Sequence, residues 1–164
     1  MNTGEIEQVL REDKYSHIYE GVFPVDQVPK LKRQKIYIVN LDKSYEPGSH
    51  WVGIQTLEMP NYVTYFDPFG SLPPKEIIFK LLQAGNEVWY SNQPVQSPLS
   101  QYCGYHVLMV SLLMARGFSL QEILTHGYLA QDQDYLRNDF VSVLVIRSLT
   151  NLEDRPIINW SHFF

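Results

Sequence analysis

The 164-residue sequence contains a single cysteine, Cys103, so no disulfide can form within the chain. One thiol also excludes the zinc modules that are built from several cysteines. No apolar run approaches the roughly 18 residues that a transmembrane helix needs, so no membrane partner is expected. The first residues lack the basic and then apolar pattern of a secretion signal. We therefore expect a protein that is not secreted and that works in a reducing compartment.

Positive charge is also scarce, with 13 Lys and Arg against 18 Asp and Glu and a formal net charge of −5. Proteins that bind nucleic acids usually present an excess of basic residues to the phosphates. The basic cluster at residues 30–35 is most simply interpreted as a solvated loop before a strand. We therefore expect no nucleic-acid partner, and any such contact would have to use residues 30–35.

The composition that is present is typical of a globular protein, with 45% hydrophobic and 19% charged residues. The length fits one domain, since a domain takes about 150 residues on average. No internal repeat or linker divides the chain. We predict a single domain over residues 1–164 and a monomer.

Runs of β-branched and aromatic residues predict four strands, at residues 35–41, 50–57, 62–67 and 87–91. The second and third runs are joined by a short turn that contains Pro60, so they should form an antiparallel hairpin. The segment before the first strand contains Phe23-Pro24 and Val28-Pro29 and is predicted to be a connection.

Helices are predicted at residues 4–12, after Pro73-Pro74, from Cys103 to Gly117, from Ser119, and over 134–149. The second of these should end at Gly85 and bury one apolar face, formed by Ile77, Ile78, Leu81 and Leu82. The third is apolar on nearly all sides, which is typical of a buried central helix. The element order predicts an α+β domain with a mixed or antiparallel central sheet, the buried helix against it and other helices packed around.

Cys103 follows a polar loop and begins the predicted buried helix. A helix N-terminus favours negative charge and therefore lowers the pKa of a thiol. Gly104 beside it would allow a substrate backbone to approach closely. On the residue alone, however, packing is the commoner role of a free cysteine.

A catalytic thiol needs a base and a group that orients the base. His50 starts a strand, and Asp67 ends the paired strand 17 residues later, so the hairpin should bring the carboxylate to the imidazole. Asp67 would fix the tautomer there. A purely structural Asp–His hydrogen bond, or a cap on its own Asp-Pro turn, would explain Asp67 equally well.

The remaining histidines carry less signal. His106 lies three residues after Cys103, a position that usually serves packing or a surface hydrogen bond. The others stand in polar or terminal contexts without a partner pattern: His17, His126 and His162. No ligand set with the spacing of a metal site is visible, so no metal is expected.

Three motifs follow one another in the chain, and together they carry a family resemblance: Gly48-Ser49-His50-Trp51, then Tyr65-Phe66-Asp67-Pro68-Phe69-Gly70, then Val95-Gln96-Ser97-Pro98 running to Tyr102-Cys103-Gly104. They resemble the adenovirus-type maturation proteases, the adenain family, which are cysteine endopeptidases related to the SUMO-deconjugating proteases. The family order of His, acidic residue, Gln and Cys is kept here. The resemblance implies an adenain-like cysteine protease fold with the nucleophile at the start of the buried helix.

The resemblance also implies residue roles. Cys103 would be the nucleophile, and His50 would be the base and then the acid for the leaving amine, oriented by Asp67. The Gln96 amide and the Cys103 backbone N–H would form the oxyanion hole, although a loop glutamine alone would suggest only a solvated side chain. Trp51 would form a wall beside the base, with core packing as the ordinary alternative. The residues expected to bind substrate are Gly48, Trp51 and Gly104.

Three features differ from the adenoviral pattern. Asp67 stands where the adenoviral enzymes commonly have Glu. The absence of a second cysteine excludes an activating peptide tethered by a disulfide unless Cys103 itself is used, so only a non-covalent activating peptide remains, and no cofactor is expected. The pI of about 5.5 argues against stimulation by DNA. These differences imply a diverged relative from a virophage, a Polinton-like element or another double-stranded DNA virus.

The function that the resemblance implies is cleavage of viral capsid or scaffold precursors during virion maturation, after Gly or other small residues. It would take place in the virion and in the cytoplasm or nucleus of the infected cell. One alternative is an isopeptidase that removes ubiquitin-like or SUMO-like modifiers, because those enzymes share the Cys-His-Asp arrangement. Another is a binding module without activity, which the complete set of four catalytic roles argues against.

Overall fold

The computed structural model describes residues 1–46, 50–128 and 134–150. Within them, five strands form one sheet in the order β1-β2-β3-β4-β5. The three central strands are antiparallel neighbours, whereas β1 pairs with β2 and β4 with β5 in parallel. The sheet is therefore mixed, as predicted. The strands are β1 (Tyr19–Pro24), β2 (Ile36–Asn40), β3 (Trp51–Gln55), β4 (Tyr62–Phe66) and β5 (Glu87–Tyr90).

Three of the helix ends have recognisable capping chemistry. Asn2 caps the first helix in a reciprocal pair with Glu5, and Ser119 caps the fourth in the same way with Glu122. Gly85 follows the last residue of the second, as predicted. The helices are α1 (Thr3–Glu12), α2 (Lys75–Ala84), α3 (Cys103–Ala115), α4 (Leu120–Glu122) and α5 (Tyr135–Thr150).

The sheet lies between two helical layers, and alternating side chains divide its residues between them. On β2, Ile36 and Ile38 belong to the cluster around α3, while Tyr37 and Val39 belong to the cluster around α2. Helix α3 is buried along its length except at Tyr105, as its apolar sequence predicts. Each fully buried aliphatic side chain of such a helix contributes about 1.5–3 kcal/mol, so α3 is a rigid support for whatever it carries.

Three predictions of local structure were wrong. Residues 19–24 form an edge strand, β1, and not a connection; the strand can end in Pro24 because an edge strand tolerates a missing N–H. Leu82 is 60% exposed because it lies on the outer side of α2. The helix that starts after Ser119 keeps α-helical hydrogen bonding only over α4 and continues as a π-helical turn, Ile123–Gly127.

The basic cluster at residues 30–35 lies in the loop before β2, where one acidic residue, Glu20, offsets part of its charge. Lys32 Nζ lies 2.9 Å from Glu20 Oε1, and Lys35 Nζ lies 3.9 Å from Glu20 Oε2. A nucleic-acid contact through this cluster stays untested. Among the described helices, none is both long and apolar enough to cross a bilayer.

Candidate active site

Three of the predicted site residues lie at one end of the sheet, each at the boundary of an element. His50 directly precedes β3, Asp67 directly follows β4, and Cys103 is the first residue of α3. Because β3 and β4 are antiparallel, the start of one and the end of the other lie side by side. Helix α3 packs on the same strands and presents its N-terminus there.

The His50 ring is held by two neighbours. Its Nε2 lies 2.7 Å from Asp67 Oδ1, and the two side chains are only 13% and 3% exposed. The Phe69 ring stacks on the imidazole at a centroid distance of 4.4 Å and an interplanar angle of 15°. The ring therefore has little freedom to turn.

Asp67 serves two purposes that the sequence left as alternatives. The oxygen that contacts His50 also accepts a hydrogen bond from the Phe69 backbone N–H at 2.8 Å. The carboxylate thus caps its own Asp-Pro turn and orients the imidazole at the same time. A carboxylate oxygen has lone pairs for both bonds, so the two roles do not compete.

The pKa values of His50 and Cys103 are displaced in opposite directions. Burial acts to lower the pKa of His50, but its contacts with Asp67 and Cys103 outweigh burial and raise that pKa to about 9. Burial acts to raise the pKa of Cys103, but His50 and the backbone N–H groups of Trp51 and Gly104 lower it overall. Both displacements favour a thiolate beside an imidazolium, the reactive form of a nucleophilic cysteine.

The geometry of the thiol contact is looser than that of the carboxylate contact. His50 Nδ1, the ring nitrogen that Asp67 leaves open, is buried and makes no hydrogen bond of regular geometry. The Cys103 side chain is nevertheless one of the groups that raise the pKa of His50. Hydrogen bonds between a nucleophile and its base are often long without substrate, and they shorten when substrate binds.

Gln96 is fully buried, so the interpretation as a solvated loop amide is wrong. Its backbone N–H and that of Val95 both donate to the carbonyl oxygen of Pro68, at 3.2 and 2.9 Å. Its side-chain Nε2 donates to the carbonyl of Ser100 at 2.9 Å, and its Oε1 is buried without a hydrogen bond. The turn that holds Asp67 therefore also holds the segment that carries Gln96.

Of the three residues predicted to bind substrate, Trp51 and Gly104 pack beside Met1. Trp51 is buried, and its Nε1 donates to the backbone carbonyl of Met1 at 3.3 Å. A Cβ on Gly104 would lie 3.1 Å from Met1 Cβ and 3.2 Å from Trp51 Cδ1, so this glycine leaves room for packing against those two residues. Gly48 lies outside the described residues. Phe69 lies within the second motif, but its residue type predicts no role there; its stacking on His50 identifies it as part of the site.

The described part of the chain contains no group of three or more His, Cys, Asp or Glu side chains that could hold a metal ion. The chemistry that these residues can support is nucleophilic. A thiol with a lowered pKa lies beside an imidazole, and a buried carboxylate fixes that imidazole.

No protein-family model matches the sequence, and no curated protein matches it significantly. The fold is similar to the crystal structure of the ASFV pS273R protease, with a TM-score of 0.57 and 14% identity over 93% of this chain and 66% of that chain. This chain thus spans about two thirds of the length of the ASFV protein. It is also similar to the SUMO protease Ulp1 with its catalytic cysteine oxidised to a sulfinic acid, with a TM-score of 0.45 and 15% identity over 92% of this chain and 78% of that chain.

The likeness to the ASFV protease shows the fold, and the predicted α+β class with the cysteine at the start of a buried helix is confirmed. The chain has the fold of that viral protease, and its His50, Asp67 and Cys103 lie at one end of the sheet. The narrower resemblance to the adenain family and the predicted viral sources stay predictions.

Proposed function

We propose that this protein is a cysteine endopeptidase whose nucleophile is Cys103. The observation that supports it most directly is the contact of 2.7 Å between His50 and Asp67, made beside a thiol whose pKa is lowered. These groups lie on a fold shared with a viral protease. A structural Asp–His pair alone would not require a nucleophilic residue next to it at a helix N-terminus.

The reaction would proceed in two stages. The Cys103 thiolate attacks the carbonyl carbon of the scissile peptide bond, and the protonated His50 then gives its proton to the leaving amine. The thioester that remains is attacked by water, which His50 deprotonates, and the carboxylic acid product leaves with the thiol restored. Asp67 keeps the ring in the tautomer that faces the sulfur and stabilises its charged form.

The oxyanion hole would use two donors. The Cys103 backbone N–H lies in the first turn of α3, where no carbonyl of the helix can accept it. The Gln96 amide nitrogen carries two N–H groups, and its bond to Ser100 occupies one of them. The other is the donor that we assign to the oxyanion. Losing such a donor typically lowers kcat by a factor of about 100 to 1,000.

The proposed substrates are viral capsid or scaffold precursors, cut after Gly or another small residue during virion maturation. The fold shared with a viral protease supports this class. A glycine at the cut position would suit a narrow space between the His50 strand and the start of α3. We propose action in the virion and the infected cell, as a monomer without a cofactor, and any activating peptide would bind non-covalently because the one thiol is the nucleophile.

Co-expression with the capsid precursor of the same virus or element tests the proposal. Mass mapping should show cleavage with the wild type and none with Cys103→Ala or His50→Ala. The matched control is His17→Ala, which removes an exposed histidine and should leave processing unchanged. Identical processing by the wild type and Cys103→Ala would refute the proposal.

A second measurement separates endopeptidase from isopeptidase activity. The protein is incubated with ubiquitin and SUMO probes that carry a C-terminal electrophile, and with a short peptide electrophile ending in Gly. We expect the peptide to label Cys103 at least as fast as the folded modifiers do. Labelling that requires the folded modifier would instead assign the protein to the deconjugating enzymes.

A further inference from the structure

A second buried histidine lies in the core, next to the proposed site but outside its mechanism. His106 on α3 is fully buried, and both of its ring nitrogens have partners. Nε2 lies 2.7 Å from Asp139 Oδ1 on α5, and Nδ1 lies 2.7 Å from the Tyr128 hydroxyl. None of these groups contacts His50 or Asp67, so they are not part of the proton transfer.

Asp139 also reaches the segment that leads to the nucleophile. Its Oδ2 accepts a hydrogen bond from the Ser100 hydroxyl at 2.9 Å, and that hydroxyl in turn accepts one from the Tyr102 backbone N–H at 3.2 Å. Because Tyr102 precedes Cys103, the contact connects α5 with the last residues before the thiol. Ser100 is also the residue whose carbonyl holds the Gln96 amide.

The neighbouring residue on α5 holds the other end of the same segment. Asn138 is buried, and its Nδ2 donates to the carbonyl of Val95 at 2.9 Å. Gln96 therefore lies between two points that α5 fixes, Val95 on one side and Ser100 on the other. We call the pair Asn138 and Asp139 the α5 clamp.

Such a polar network adds little stability compared with apolar residues of the same volume. Its advantage is direction, because each bond fixes a donor and an acceptor at a defined distance. The oxyanion donor needs this kind of control, since catalytic groups must be held to within about 0.5 Å of their productive position. An apolar contact between α5 and the loop would fill the same space without fixing the rotation of the Gln96 amide.

We propose that the α5 clamp, braced by His106, positions the Gln96 amide for the oxyanion. The proposal rests on the function proposed above and makes Asn138, Asp139 and His106 positioning residues. They touch no reacting atom. They act through the two ends of the 95–100 segment, so their loss should affect the transition state more than substrate binding.

The test removes the Ser100 hydroxyl, which joins the segment to the clamp. With a fluorogenic peptide ending in Gly-Gly, Ser100→Ala should lower kcat about 5-fold to 50-fold, less than full loss of an oxyanion donor, and change KM less than about twofold. Ser100→Thr keeps the hydroxyl and should restore most of kcat. The matched control is Ser97→Ala in the same loop, whose hydroxyl bonds locally to the Leu99 N–H; it should stay within about twofold of wild type.

Two further readouts distinguish positioning from general damage. The pH profile of Cys103 alkylation by iodoacetamide should be unchanged in Ser100→Ala, because His50 and Asp67 are not altered. In a Gln96→Ala background, Ser100→Ala should have no further effect on kcat, because the donor it positions is gone. An equal loss in both backgrounds, or a kcat that Ser100→Ala does not change, would overturn the proposal.

Hydrogen exchange tests the clamp without relying on turnover. In Asn138→Ala, which removes the donor to the Val95 carbonyl, the amides of Val95 and Gln96, which donate to Pro68, should exchange faster, while those in β2 and β3 keep their wild-type rates. Wild-type exchange at these two amides would overturn the clamp. A wild type that labels Cys103 but hydrolyses no peptide or precursor would refute the proposed function instead, and the exchange result would still decide the clamp.

Discussion

Replacing Asp67 with Asn removes the charge beside His50 and little else. An asparagine Oδ1 can still accept from the imidazole and from the Phe69 N–H, so the turn should keep its form. What disappears is the negative charge that favours the imidazolium. The variant therefore separates the electrostatic contribution of Asp67 from its contribution to structure.

The magnitude follows from the pKa of His50, which is raised to about 9 from an ordinary value of 6.5. Since one pKa unit corresponds to about 1.4 kcal/mol, Asp67 and Cys103 together stabilise the imidazolium by about 3 kcal/mol beyond the cost of burial. In Asp67→Asn the burial remains and the carboxylate is gone. The pKa of His50 should fall toward or below 6.5, and the pKa of Cys103 should rise because its cationic neighbour is lost near neutral pH.

The same displacement makes folding stability depend on pH. A histidine whose pKa is raised on folding contributes stability that is fully present below pH 6.5 and is lost as the pH rises to about 9. Through the titration of His50, the free energy of unfolding of the wild type should fall by up to about 3 kcal/mol across that interval. The free energy of unfolding of Asp67→Asn should fall much less over the same interval. Urea unfolding of both proteins at pH 6 and pH 9 measures this difference.

Two assays report the titration directly. NMR of the His50 ring gives its pKa, and the rate of Cys103 alkylation by iodoacetamide gives the thiolate fraction against pH. The control is Asp26→Asn, which removes a surface carboxylate bonded to Ser44 and should leave both profiles unchanged. A His50 pKa that stays near 9 in Asp67→Asn would refute the reasoning, because the charge would then not be its cause.

Two further changes test the supports of the site. Gly70→Ala should destabilise the fold more than Gly117→Ala and should lower activity. Both glycines have positive φ, but of the two only Gly70 would place a Cβ 2.9 Å from backbone atoms of residues 92–94. Urea unfolding compares the stability of the two variants. Asp13→Ala should lower the free energy of unfolding by about 3–5 kcal/mol, because the Arg116 side chain is only 10% exposed and would lose the carboxylate that balances its charge. Burial acts to raise the pKa of Asp13, but its hydrogen bonds with Arg116 and Tyr19 outweigh burial and lower that pKa overall. The difference in the free energy of unfolding between the wild type and Asp13→Ala should therefore shrink as the pH falls below about 3.8, and urea unfolding at pH 7 and pH 3 measures it.

The contact between His50 and Asp67 could be predicted because it depends on local structure. Two strand patterns separated by a short turn imply a hairpin, and a hairpin fixes which residues face each other. The pattern places Asp67 beside His50 but does not decide between turn capping and imidazole orientation, since both require the same residue type. In the folded protein, both bonds share one oxygen, Asp67 Oδ1.

Strand β1 and the clamp could not be predicted because they depend on contacts between distant segments. β1 has half-buried residues and ends in Pro24, so its sequence alone resembles a loop, and its pairing with β2 is parallel. Asp139 lies 33 residues from His106 and 39 from Ser100. No periodicity links such positions, since only the packing of α5 on α3 brings them together.

The turn from Asp67 to Gly70 explains why the site depends on so few residues. Its first residue orients His50, the carbonyl of Pro68 receives the two N–H groups of Val95 and Gln96, and the Phe69 ring covers the imidazole. Gly70 then allows the chain to pass residues 92–94 at a distance that no side chain would permit. The base and the proposed oxyanion donor are therefore positioned by one rigid unit. A change in this turn should disturb both together, whereas a change in the α5 clamp should disturb the oxyanion donor alone.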